Sequence, residues 1–218
     1  MKNTLPLGRN IVLYHDHCLN LNGWPSQRGF KIGSFVVPEI KTWISENHRQ
    51  NGLLWNQEDL ARRKTVSDSD IASNKRAIDQ HNQLRNDAIE RIDEILLTKL
   101  GLLTTANRKT NSPIVKPTKH ARLNSETAGS MIDRMSILSL KIKAMLLQSL
   151  RQDESAEFRS ACQEKCERLI RQRNDLANCF DELLSDTANG TAWFQVYRQF
   201  KMYNDARLNP ALVAESSS

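Results

Sequence analysis

Long stretches of unbroken helical periodicity constrain this chain more than any other feature. Its 218 residues include only 8 glycines and 6 prolines, too few for a protein built on many tight turns. At 100° per residue, apolar side chains collect on one face in four successive stretches. Over about 38–64 the face carries Ile40, Trp43, Ile44, Leu54 and Trp55, and Pro38 suits a first helical turn. Over about 68–100 it carries Ile71, Ile78, Ile89, Ile92 and Leu96, between a Ser67 cap and a Gly101 stop. Over about 126–150 the stripe is Met131, Met135, Leu138, Ile142 and Met145. Over about 153–185 it is Phe158, Cys162, Leu169, Leu176, Phe180 and Leu183. The expected fold is all-α: a helical bundle of two long helical hairpins, with an aromatic and basic C-terminal segment (Trp193 to Tyr203) packed on it.

The organisation follows from what interrupts the pattern. Residues 1–35, punctuated by Pro6, Gly8, Gly23, Pro25, Gly29 and Gly33, are expected to form an irregular extension. Residues 36–212 form one all-α domain, and 213–218 a disordered tail. Residues 101–124, with two prolines and no periodicity, read as a long exposed loop. The length suffices for one hydrophobic core and is short for two. No apolar run approaches the ~20 residues of a membrane helix, and no secretory signal opens the chain, so a cytoplasmic protein without a membrane span is expected.

The net charge of +6 has a local source. Between Ile95 and Ser125 lie Lys99, Arg108, Lys109, Lys116, Lys119 and Arg122 with no acid, and the remainder is balanced. A nucleic-acid binder spreads basic charge over a folded face, so nucleic acid is not the expected partner. The run reads as a solvated loop or as one that clamps an anionic ligand. Cys18, Cys162, Cys166 and Cys179 read as reduced, buried thiols. His15-Asp16-His17-Cys18 lacks the second half of a metal site, so no metal is assigned.

Two helices carry a matching signature. Arg85-Asn86-Asp87 with Asp93-Glu94-Ile95-Leu96 recurs 88 residues later as Arg173-Asn174-Asp175 with Asp181-Glu182-Leu183-Leu184. A duplicated hairpin is one reading, and chance likeness between polar helices the other.

Polar residues stand on faces where apolar ones belong: Asn47, Asn51, Glu58, Arg62, Asn82, Arg85 and Arg173. Burying charge costs several kcal/mol unless it is paired. These residues therefore form either a closed network that fixes helix register or a ligand cleft between helices. Guanidinium forks suit phosphate and carboxylate. The expected anion contacts are Arg85, Arg173, Arg134, Arg198 and Lys201, with Asn47, Asn51, Asn82 and Asn86 orienting the ligand and Tyr203 stacking on a sugar or base. A second reading places Mg²⁺ on Glu58, Asp59, Glu90 and Asp93, as in all-α nucleotide pyrophosphohydrolases. Otherwise no cofactor is implied. No nucleophile–histidine constellation and no glycine-rich phosphate loop stand out.

Longer motifs carry a resemblance. They are Leu54-Trp55 with Glu58-Asp59 and Ala61-Arg62-Arg63, Lys75-Arg76-Ala77-Ile78-Asp79, Asn82-Gln83 with Arg85-Asn86-Asp87, Leu123-Asn124-Ser125-Glu126-Thr127 with Gly129-Ser130-Met131-Ile132-Asp133-Arg134, and Tyr197 to Asp205. Over about 40–212 the chain resembles a bacterial domain-of-unknown-function family, number 4254. The resemblance implies an all-helical cytoplasmic protein. Its members' genes often lie near glycosyltransferase and lipopolysaccharide genes, which implies a role in surface-glycan assembly. It implies no catalytic residue. Where members carry His-Glu after the Leu-Trp pair, this chain has Asn56-Gln57. The combined expectation is a protein that binds a phosphorylated sugar or nucleotide sugar between helices. The alternatives are the Mg²⁺-dependent hydrolase and a non-catalytic partner of a glycosyltransferase.

Overall fold

A computed structural model describes residues 5–26, 38–199 and 205–216. It is an all-α bundle, 67% helical. The helices among the described residues are α1 (Gly8–Cys18), α2 (Pro38–Leu60), α3 (Asp68–Lys99), α4 (Ala128–Ser149), α5 (Ala156–Ala188) and α6 (Pro210–Ser216). The hairpin α2–α3 packs beside the hairpin α4–α5, and α4 touches α1, α2, α3 and α5.

Local chemistry sets the helix ends. Ser67 Oγ accepts the Asp70 N–H at 3.1 Å. Thr127 and Ser130 cap each other's backbone at the start of α4. Ser155 accepts the Phe158 N–H at the start of α5. Both long descending helices stop in the same way. Gly101 (φ 77°) and Gly190 (φ 75°) take the left-handed turn that side chains resist. Leu102 N–H then returns to the Leu97 carbonyl, and Thr191 N–H to that of Asp186. A two-residue parallel bridge, β1 (Arg122–Leu123) with β2 (Ala192–Trp193), ties the long loop to the chain leaving α5.

Four expectations change. The extension 1–35 is not irregular throughout: α1 buries Ile11, Val12, Tyr14, His15 and Cys18 in the core, and 27–37 lie outside the described residues. The loop 101–124 is not simply exposed. Leu103 and Val115 are buried, a 3-10 turn spans Asn107–Lys109, and Lys116 N–H bonds the Leu102 carbonyl. The tail 213–218 is helical through Ser216. Phe158 and Cys179 are exposed rather than inward, whereas Cys18, Cys162 and Cys166 are buried free thiols. The C-terminal segment packs on the bundle through Phe194 and Val196.

The 88-residue spacing reappears in the contacts. Gly129 at the start of α4 presses on the Ile89 carbonyl of α3, and its N–H donates to Asp93 at 2.6 Å. Gly8 at the start of α1 presses on the Ala177 carbonyl of α5, and its N–H donates to Asp181 at 2.7 Å. A Cβ at either glycine would lie 2.5 Å from that carbonyl oxygen. So α1 crosses α5 as α4 crosses α3.

Candidate functional site

The polar layer forms around a residue that the apolar stripes did not single out. Asp133, on α4, is 4% exposed. One of its oxygens, Oδ1, accepts Asn47 Nδ2 and Asn51 Nδ2, each at 2.9 Å, and lies 3.2 Å from Arg85 Nε. Asn51 also donates to Ser136 Oγ at 3.0 Å, and Ser136 Oγ meets His48 Nδ1 at 2.7 Å. The His48 ring stacks on His15 of α1, with centroids 4.3 Å apart. Burial drives both imidazoles toward the neutral form: His15 falls well below its usual range, with His48 and Arg173 adding to the effect, and His48 falls to about 3. Among the described residues, neither ring nitrogen of His15 has a hydrogen-bond partner.

Above Asp133 the layer opens. A cleft of about 310 Å³ between α2, α3 and α4 is lined by Asn51, Trp55, Glu58, Asp59, Arg62, Asn82 and Arg85 over Leu54, Ile137 and Leu140. The Arg85 side chain is 28% exposed, and its Nη1 makes one long bond, 3.3 Å, to Asn82 Oδ1. Glu58 and Arg62 pair at 2.7 Å across one turn at the rim. The cleft thus brings guanidinium donors, amides, carboxylate acceptors and an indole together.

Of the expected contacts, Asn51, Glu58, Arg62, Asn82 and Arg85 line this cleft, and Asn47 supports it through Asp133. The others do not join them. Arg173 is buried and holds both oxygens of Asp16 on α1, at 2.5 and 3.0 Å, and Ser139 Oγ at 2.7 Å. It clamps α1 to α5 and does not line this cleft. Arg134 pairs with Glu126 at 2.6 Å and lines a neighbouring groove rather than this cleft. Asn86 donates to Gln199. Arg198 binds Glu90 at 2.8 Å and Glu94 at 2.6 Å, and donates to the Arg108 and Thr110 carbonyls. It therefore pins the long loop to α3, while Arg108 reaches Glu39. Lys201 and Tyr203 lie outside the described residues.

The four carboxylates of the Mg²⁺ reading are separated. Glu58 and Asp59 stand at the cleft, and Glu90 is held by Arg198. Asp93 is 2% exposed, hydrogen-bonded to Gly129, and raised to about 7 by burial. His15, Asp16, His17 and Cys18 diverge around α1, with His17 exposed and Asp16 spent on Arg173. Among the described residues, no three of His, Cys, Asp and Glu gather closely enough to hold a metal ion, and no helix is long and apolar enough to cross a membrane.

One of the two missed residues had a sequence signal. Asp133 lies in the second turn of a helix whose first half, Ala128, Gly129, Met131 and Ile132, is apolar beyond one stripe, which marks it as surrounded. Trp55 reads as core from its spacing, and its half-buried ring is visible only in three dimensions.

The structure defines an all-α bundle with a polar cleft between helices. The chain belongs to the family described as "Protein of unknown function (DUF4254)", which matches residues 41–196. No curated protein and no solved structure matches it.

Proposed function

We propose that this protein binds a phosphorylated sugar or nucleotide sugar in the α2–α3–α4 cleft and serves surface-glycan or lipopolysaccharide assembly in the cytoplasm. The carrying observation is the chemical mixture within one cleft: Arg85 and Arg62 with Glu58, Asp59, Asn51, Asn82 and Trp55. A site for a bare anion has no use for two carboxylates at its mouth. A ligand bearing both a phosphate and hydroxyls uses every group. The guanidiniums take the phosphate, the carboxylates and amides take hydroxyl protons, and the indole offers an apolar face to a ring. Asp133 lies beneath Arg85 as its charge partner, with Oδ1 3.2 Å from Nε, and Nη1 reaches Asn82. The glycan setting rests on the family resemblance.

Calorimetric titration of a hexose 1-phosphate, a nucleoside diphosphate hexose, the neutral hexose and inorganic phosphate tests this reading. The phosphorylated sugars should bind about tenfold or more above either fragment, because each fragment leaves half of the cleft unpaired. Equal binding of inorganic phosphate and hexose phosphate would contradict it.

A further inference from the structure

Trp55 has a second face. Beyond it, between the C-terminal half of α4 and the N-terminal half of α5, runs a groove of about 430 Å³, within the ~300–1,000 Å³ of small-molecule sites. Its chemistry differs from that of the cleft. The floor is apolar: Trp55, Ala144, Met145 and Leu169. Every ionisable residue that lines it is basic, namely Lys141, Lys165 and Arg168. The acids of the same stretch, Glu164 and Glu167, do not line it. None of the three cations is engaged in an ion pair among the described residues, although most arginines nearer the core are.

Three exposed cations without ion-pair partners beside an apolar floor favour an anionic head group there. An inorganic anion leaves the floor wet, and a neutral hydrocarbon leaves the cations unmatched. We infer that this groove binds an anionic amphiphile: a single alkyl chain laid on Met145, Leu169 and Trp55, with a phosphate monoester or carboxylate head held by Lys141, Lys165 and Arg168. The site is independent of the sugar-phosphate cleft and shares only Trp55 with it.

The test is titration with dodecyl phosphate below its micelle-forming concentration, beside dodecyl maltoside and inorganic phosphate. Dodecyl phosphate should saturate one site per chain, with each control about tenfold weaker or more. Lys165→Glu with Arg168→Glu, both on exposed positions, should lower affinity about tenfold with an unchanged circular dichroism spectrum and melting temperature. Met145→Asp should do the same through the floor. Arg85→Met should leave this affinity within about twofold, which separates this site from the sugar-phosphate reading. Leu147→Ser, at an exposed α4 position that does not line the groove, should also leave it unchanged. Equal affinity for dodecyl maltoside would overturn the inference, as would binding unaffected by the charge reversals. So would association with anionic lipid vesicles without binding of the monomeric alkyl phosphate.

Discussion

Arg85 and Arg173 occupy matching places on α3 and α5, 88 residues apart, and the structure gives them opposite jobs. Arg173 is sealed, with 8% of its side chain exposed, because the last turn of α1 brings Asp16 over it. Arg85 stays open at 28%, because its acid comes from beneath, on α4, and no described residue covers it from above. The acids eight residues further along reverse the pattern. Asp93 is sealed under Gly129, whereas its counterpart Asp181 is partly exposed beside Gly8. One helix-crossing geometry thus appears twice with its open and closed ends exchanged. Burial, not residue identity, decides which arginine can serve a ligand.

The largest expected effect is at the closed end. Asp16→Ala strands the buried Arg173 guanidinium with only Ser139, and should cost about 2–4 kcal/mol by denaturant midpoint, the lower side reflecting the exposure of Asp16. Arg173→Met should cost less, because the residue left behind, Asp16, reaches water. If Asp16→Ala were neutral, the clamp assigned to this pair would be wrong.

Next come the two crossing glycines. Gly8→Ala and Gly129→Ala each drive a Cβ to 2.5 Å from a carbonyl oxygen, and should destabilise by similar amounts, about 2 kcal/mol each. A large effect at Gly129 with none at Gly8 would show that α1 docks loosely and that the two crossings are not alike.

The helices themselves were legible in the sequence. Periodicity and caps place four of them with ends within four residues of those observed, because long amphipathic faces need no tertiary information. The first helix, α1, was not legible. Its inward stripe of Ile11, His15 and Cys18 carries a polar imidazole, and Pro6 and Gly8 read as loop punctuation. The cleft was half legible. Misplaced Asn47, Asn51 and Arg85 announced a polar layer, but their common partner Asp133 belongs to another hairpin, and sequence spacing along one helix carries no information about it. Arg173 looked identical to Arg85 because the residue that closes it lies 157 positions away.

A smaller effect distinguishes the two sets of buried titratable groups by pH. His15 and His48 titrate far below 6.5 when folded, so the unfolded chain takes up their protons first and stability falls as pH drops below 6.5. Each can remove at most about 1.4 kcal/mol per pH unit. Asp93 acts in the opposite direction. Its folded carboxyl, raised from 3.8 to about 7, takes its proton before the unfolded one does, so acidification from 7 toward 3.8 adds stability. Urea titrations of Asp93→Asn should therefore show a gain over the parent at pH 8 that shrinks toward pH 4. A gain that grows on acidification would contradict the assignment.

The open end bears on the central claim. Arg85→Met leaves the buried Asp133 with both asparagine donors but no counter-charge, so it should cost about 2 kcal/mol. Its consequence lies in binding. Calorimetric titration of a hexose 1-phosphate into folded Arg85→Met should show affinity lowered about tenfold or more, while Arg173→Met, assayed in the same way, keeps the parent affinity. Undiminished binding by Arg85→Met would show that the open arginine is scaffold, as the closed one is.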